Sequence, residues 1–286
     1  MGISTDSDFF ATEPLVEAGA MPPSHHRISR RVATTARKWL FPVIVLGLVW
    51  EGIAKFAGLS PKLFPTIETV GNTFWSLLRD GTLLDNTWPT LSRLFFGWAV
   101  AAVIGILVGF AMSTLPVVRD FFLPLISILM PIPALAWIPL FILWFGLGNT
   151  SVVILVIFAS SLPITLNTWT GMRSINPILI RAARSMDVSR VGLFKKVILP
   201  GSLPVLMTGL RIGIAQAWRA VVAGEMIAGS ANGLGVLIFN SSTFLQTDVM
   251  LATLLVIGPL GFIFEKVLFQ SVEHFTIERW GMSDNG

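Results

Sequence analysis

Six apolar stretches of roughly 20 residues constrain this chain more than any other feature. They lie near 39–58, 90–113, 121–146, 150–171, 203–229 and 247–270. An α-helix of about 20 residues crosses a ~30 Å hydrocarbon core, so each stretch reads as one membrane-spanning helix. Composition agrees: 13% of the residues are charged, where a soluble domain carries about a quarter. The expected fold class is an all-α membrane protein with six transmembrane helices.

Lys and Arg between the spans set the orientation, because short cytoplasmic loops hold the excess. Arg27, Arg30, Arg31, Arg37 and Lys38 precede the first span, Arg119 lies between spans two and three, the 172–202 loop holds six, and Lys266 and Arg279 follow at the end. If six helices alternate, those fourteen share one side, and both termini are expected in the cytoplasm. The opposite side has Lys55, Lys62, Arg79 and Arg93, in or next to the first outer loop. The pI near 10 therefore comes from loops beside apolar spans, and no nucleic-acid partner is implied. Residues before Arg27 carry Asp6, Asp8, Glu13 and Glu17 without an apolar run, so no cleaved signal is expected. Residues 1–30 read as a disordered cytoplasmic tail, 31–275 as the transmembrane domain and 276–286 as a short cytoplasmic tail.

Several chemistries are excluded early. The chain has no cysteine, and His25, His26 and His274 sit in the tails, so thiolate or histidine metal centres within the membrane are not expected. A nucleophile–base set or a pair of hydrolytic carboxylates is not visible, which argues against an intramembrane enzyme. The pattern G-x-x-x-x-G-K-[ST], which cradles nucleotide phosphates, does not occur.

Two segments outside the spans are patterned. In 59–89, Ile67, Val70, Phe74, Leu77 and Leu78 recur at helical spacing, predicting a short amphipathic helix. The second segment, 172–202, contains RAARSMDVSRVGLFKKVILP. Pro177 can open a helix whose apolar stripe, Ile178, Leu179, Ala182, Ala183 and Met186, lies beside Arg181, Arg184 and Arg190. Asp187, tolerant of left-handed backbone, sits where that helix would end, and Ser189 can cap a second helix from Arg190 to Val197, which Pro200 would stop. By pattern alone the segment is either a solvated positive-inside loop or a knob shaped for an acidic partner.

Arg181-Ala182-Ala183, Asp187, and Val197-Ile198-Leu199-Pro200 nine residues beyond resemble the EAA loop of ABC importer permeases, with Arg181 in place of its Glu and Asp187 in place of its Gly. PIPALAWIPLFILWFGLG from Pro131 to Gly148, WRAVVAGEMIA from Trp218 to Ala228, and Gly233-Leu234-Gly235 are similar to segments of the nitrate, sulfonate, taurine and bicarbonate branch of that family. The resemblance covers about residues 40–275. It implies the type I ABC importer (MetI-like) transmembrane domain, with cytoplasmic coupling helices. It also implies a second permease copy, two cytoplasmic ATPase subunits and a periplasmic solute-binding protein, all assembled in the lipid bilayer. The permease would bind no cofactor itself, ATP and Mg lying on the ATPase. Arg181, Ala182, Ala183, Arg184, Met186, Asp187, Leu199 and Pro200 would make up the ATPase-coupling loop.

Ionisable side chains at mid-bilayer cost a few kcal/mol and usually face inward. Span five holds Arg211, Arg219 and Glu225. At about 100° per residue they share a sector of roughly 120° with Thr208 and Trp218. That face could line a translocation pathway, with Arg219 drawing in an anion and Glu225 at the outer gate, or the charges could pair with neighbouring helices; Arg211 is near enough to the inner surface to snorkel. Pro131, Pro133 and Pro139 break or kink span three. The expected function is the permease subunit of an ATP-driven importer for a small anionic solute: a sulfonate or taurine, nitrate, bicarbonate or an organic carboxylate. A stand-alone secondary transporter or channel is the alternative.

Overall fold

The computed structural model describes residues 41, 42, 44–56, 58 and 60–267. Among them every regular element is helical. The two tails expected to be cytoplasmic lie outside the described residues, as does part of the first span, within which 44–56 form helix α1.

Helix α2, Ile67–Arg79, starts where the Thr66 hydroxyl accepts the Thr69 N–H. Its predicted stripe turns inward at Val70, which is buried, while Ile67 stays exposed. The helix packs on α11, and Thr73 Oγ1 donates to Asp248 Oδ2 at 2.8 Å. Gly81, at φ 82°, turns the chain sharply into α3, Thr82–Thr114, and the Asp80 carboxylate accepts the Thr82 N–H at 2.9 Å. Span two thus begins eight residues before the expected 90, because this local cap precedes the apolar run.

Span three is broken. Helix α4, Pro116–Leu129, gives way at Pro131-Ile132-Pro133 to a single tight turn, Ala134–Trp137, and then to α5, Ile138–Phe145. The two halves meet at 99°. Two prolines one residue apart remove two N–H donors and clash with the preceding turn, so no continuous helix can form there. Gly146 and Gly148, at φ 82° and 112°, make the turn into α6, Asn149–Arg173.

Helix α6 is the centre of the bundle, flanked by α3 and by α9, Leu199–Ile227. Both neighbours approach it through small residues at four-residue spacing. On α3 these are Gly97, Ala101, Gly105 and Gly109, where an added Cβ on the glycines would lie 2.6 Å from Val156 Cγ1, 2.7 Å from Ile164 Cγ2 and 2.6 Å from Thr168 Cβ. On α9, Gly209 and Gly213 approach Asn167 and Ile164 equally closely. Lipid tails are as apolar as leucine, so helices in a membrane gain from close backbone approach rather than from hydrophobic burial.

Between α6 and α9 the chain makes the predicted two-helix segment. Asn176 caps α7, Pro177–Ser185, by accepting the Ile178 N–H, and Pro177 occupies its first turn. Asp187 is left-handed at φ 55°. The Ser189 hydroxyl accepts the Gly192 N–H at 3.2 Å and opens α8, Arg190–Leu193. Pro200 does not stop that helix. A wide π turn, Phe194–Ile198, joins α8 to α9, with the Leu199 N–H donating to the Phe194 carbonyl five residues back. A proline in the first turn of α9 lacks only a donor that the change of register already leaves without its usual acceptor. One helix, Val191–Ile227, therefore runs 37 residues from the knob into the membrane.

After α9 the expected loop 230–246 contains a helix, α10, Leu234–Thr243, too short to cross a bilayer. Then α11, Thr247–Phe262, forms the last span and ends in a second π turn, Ile263–Val267. Among the described residues four helices are long and apolar enough to cross a membrane, or five spans if the bent pair α4–α5 counts as one.

Candidate functional site

Two parts of the molecule carry chemistry: the knob of α7 and α8, and the long helix α9 that rises from it.

The knob is pinned on one side and open on the other. Ile175, Ala183 and Leu193 are buried, and Phe194 stacks edge-on against Phe110 of α3 at 5.1 Å. The open side presents Ile178, Leu179, Met186 and Val191, all more than half exposed. Arg181, Ala182, Arg184, Asp187, Lys195 and Lys196 are exposed around them, Leu199 is just exposed, and Pro200 is half-buried. Of the two alanines, Ala182 faces outward and Ala183 inward. The open side is thus an apolar patch ringed by four cations and one acid.

On α9 the charges divide. Glu225 is 1% exposed and buried against α3 and the start of α10. Its Oε1 accepts from Arg93 Nη1 at 2.5 Å, and its Oε2 accepts from the Thr90 hydroxyl at 2.9 Å and the Gly235 N–H at 3.0 Å. The Leu234 N–H donates to Thr90 Oγ1 and the Gly233 N–H to Asn86 Oδ1, each at 2.9 Å. Three successive N–H groups at the start of α10 are thus capped by side chains of α3 and α9, with a carboxylate at the positive end of the helix. A Cβ on Gly233 would lie 2.5 Å from the Glu225 carboxyl carbon, and one on Gly235 would overlap the Val222 carbonyl. Only glycines let this loop close over the carboxylate.

Arg219 faces the other way. Its side chain is 61% exposed, and its Nη2 lies 3.8 Å from Oε2 of Glu265, itself 52% exposed, in the π turn after α11. Gln216, one turn below Arg219, is exposed and lines a notch of about 110 Å³ with Met130, Pro133 and Phe158. The broken span and the polar side of α9 therefore meet at one place.

Residues 101–269 match the family described as the binding-protein-dependent transport system inner membrane component. The chain belongs to that family. It is 34% identical over 254 residues to the taurine transport system permease protein TauC of Escherichia coli (strain K12), covering 83% of this chain and 92% of that protein. The putative aliphatic sulfonates transport permease protein SsuC of the same organism is 33% identical over 236 residues, 80% of this chain and 89% of its own length. The fold is also that of the inward-facing MetNI methionine ABC transporter, which at 20% identity superposes with a TM-score of 0.53 over 67% of this chain and 96% of that one.

The protein is accordingly the permease subunit of an ABC importer with a type I, MetI-like transmembrane domain. It is a non-catalytic integral membrane subunit, and ATP hydrolysis belongs to a separate chain. Such a permease works with an ATPase and a solute-binding protein, and in bacteria it lies in the inner membrane.

Of the span-five residues singled out in the sequence, Trp218 is buried, edge-on to Phe264 at 5.3 Å. Arg211 is half-buried nearer the knob. The sector of about 120° shared by Arg219 and Glu225 is wide enough to straddle the boundary between the buried and open sides of one helix. Sequence reasoning missed the role of Arg93, counting it only among the cations in or next to the first outer loop. A lone cation inside an apolar run calls for a lone anion inside another, and Glu225 was there to be matched. Glu265, at the end of the last span, carried no such signal.

Proposed function

We propose that this permease pairs with a second copy of itself to form the pathway for a small organic anion of the sulfonate or taurine class. An ATPase subunit docks on the knob of each copy, and a binding protein delivers solute at the opposite end. Both termini then lie in the cytoplasm, a placement supported by the Lys and Arg distribution. Residues 31–275 make up the transmembrane domain between the tails 1–30 and 276–286. ATP and Mg are held by the ATPase and no cofactor by the permease. The solute class rests on the named relatives and on Arg219.

The observation that carries the reading is the unbroken helix Val191–Ile227. It joins the exposed patch of the knob to the open side bearing Gln216 and Arg219 without a flexible joint. A displacement of Arg181, Ala182, Arg184 and Met186 by a closing ATPase dimer is then transmitted as a rigid-body tilt, the motion that alternating access needs. Asp187, Leu199 and Pro200 set the angle of the knob, and Ala183 anchors it. In this scheme Arg219 contacts the solute, Arg211 and Trp218 support the helix behind it, and Glu225 acts at the outer gate by fixing α10 through Arg93. Reconstitution with the ATPase and binding protein in proteoliposomes tests it: ATP-dependent uptake of taurine or an alkanesulfonate is expected, and sharply reduced in Arg219→Ala. Uptake that needs no ATP, or is driven by an ion gradient, would instead make the chain a secondary transporter.

A further inference from the structure

We propose that Arg219 and Glu265 form a two-sign contact in the pathway, shaped for a solute that carries an oxyanion at one end and an ammonium at the other. This rests on the importer reading above and adds to it Glu265 as a specificity-determining residue.

Three features of the pair support it. Both side chains are more than half exposed, Arg219 within the Val191–Ile227 span and Glu265 at the last residue of the Thr247–Glu265 span, and lipid-facing ions within a span are strongly disfavoured. Their closest approach, 3.8 Å, is beyond a hydrogen bond, so the guanidinium and the carboxylate each keep bonding capacity for a third group. Glu265 also sits in a π turn, an insertion that re-aims side chains and recurs at functional sites. The preceding turn is held hard against α9: a Cβ on Gly261 would lie 2.6 Å from Trp218 Nε1. That close approach places Glu265 beside Arg219.

The surroundings mark this side as protein- or water-lined. The Pro131–Pro133 break is exposed, and non-helical backbone at membrane depth is tolerated only against protein or a wet cavity. The side chains lining the notch beside it are apolar apart from Gln216, and Gln216 is exposed on the same side of α9 as Arg219. A bare inorganic oxyanion would satisfy Arg219 and leave Glu265 repelling it.

The chain has no cysteine, so Gln216→Cys provides a unique reporter thiol in the permease, one turn from Arg219. The permease–ATPase assembly is purified, and the rate of N-ethylmaleimide labelling at this position is followed by mass spectrometry in the presence of taurine, ethanesulfonate, ethanolamine or sulfate. Taurine is expected to protect at a concentration about tenfold lower than ethanesulfonate, the change given by one lost charge-assisted contact. Ethanolamine and sulfate are expected to protect least. Adding Glu265→Gln should raise the taurine midpoint to that of ethanesulfonate. Both substitutions alter exposed side chains, and retained co-elution of the ATPase checks assembly.

Equal protection by taurine and ethanesulfonate, no protection by either, an unlabelled thiol, or an unmoved taurine midpoint in Glu265→Gln would each overturn the proposal. Wild-type uptake measured in parallel separates the two readings. Absence of ATP-driven organosulfonate uptake defeats the solute class proposed above, whereas uptake without protection defeats only the two-sign contact.

Discussion

Removing one partner of the Arg93–Glu225 pair should cost far more than removing both. At an N–O separation of 2.5 Å and an effective dielectric near 20, the gross attraction is about 7 kcal/mol. Desolvation costs several kcal/mol per ion, so the intact pair contributes little net. Arg93→Met leaves a buried carboxylate with only Thr90 and Gly235 as donors, and Glu225→Gln leaves a buried guanidinium without its anion. A broken buried pair costs about 3–5 kcal/mol. The lower end applies in a membrane, where the unfolded chain also finds polar partners. Each single variant of the purified permease should lose about 3 kcal/mol in SDS unfolding from mixed micelles. The double variant Arg93→Met with Glu225→Gln should lose no more than either single one. Losses that add to within about 0.5 kcal/mol would show the two side chains to be uncoupled and refute the reasoning.

Gly105→Val should push α3 off α6, because the new Cβ meets Ile164 at 2.7 Å; a loss of about 2–3 kcal/mol in the same SDS assay is expected, whereas Gly71→Val, at a glycine open to space, should pack without a clash. Asp187→Gly should stabilise the knob by several tenths of a kcal/mol up to about 1, and Asp187→Val should weaken it, since φ is 55° there; protease resistance of the 186–189 turn reads both. The Thr82 backbone N–H and hydroxyl hold the Asp80 carboxyl below its ordinary value of 3.8. A depressed carboxylate stabilises its corner above the ordinary value and loses that contribution as pH falls through the lowered one. Amide exchange at Thr82 should therefore stay slow through mildly acidic pH in the wild type and be fast already at neutral pH in Asp80→Ala.

What the sequence disclosed follows the range of the interactions involved. The knob was legible because its signals are local: Pro177 opens α7, Asp187 turns it and Ser189 restarts it, each acting within three residues. The break in span three was legible for the same reason, since Pro131 and Pro133 act on their own turn. Pro200 misled because its effect depends on the π turn just before it, which no residue type announces. Helix α10 was hidden by its length, ten residues being too few for a span and too apolar for a loop. The Gly97-Ala101-Gly105-Gly109 spacing could have marked a packing face on α3, though not which helix would cover it. Arg93 and Glu225 are separated by 132 positions, and only the rule that a charge in a span needs a partner links them. Arg219 and Glu265 are joined by tertiary packing alone, through Gly261 beneath Trp218.

The central claim is that the knob is the handle by which an ATPase drives this permease. It is tested most directly by purifying the chain from its native membrane in mild detergent, with mass spectrometry of what accompanies it, beside a variant carrying Ala182→Glu and Met186→Glu. Both positions are exposed, so the variant keeps its fold and places two new acids in the docking patch. The account predicts that an ATPase with a phosphate-binding loop accompanies the wild type and is lost from the variant. A wild type that purifies without an ATPase, or a variant that retains one, would contradict it and leave 172–202 as a positive-inside loop.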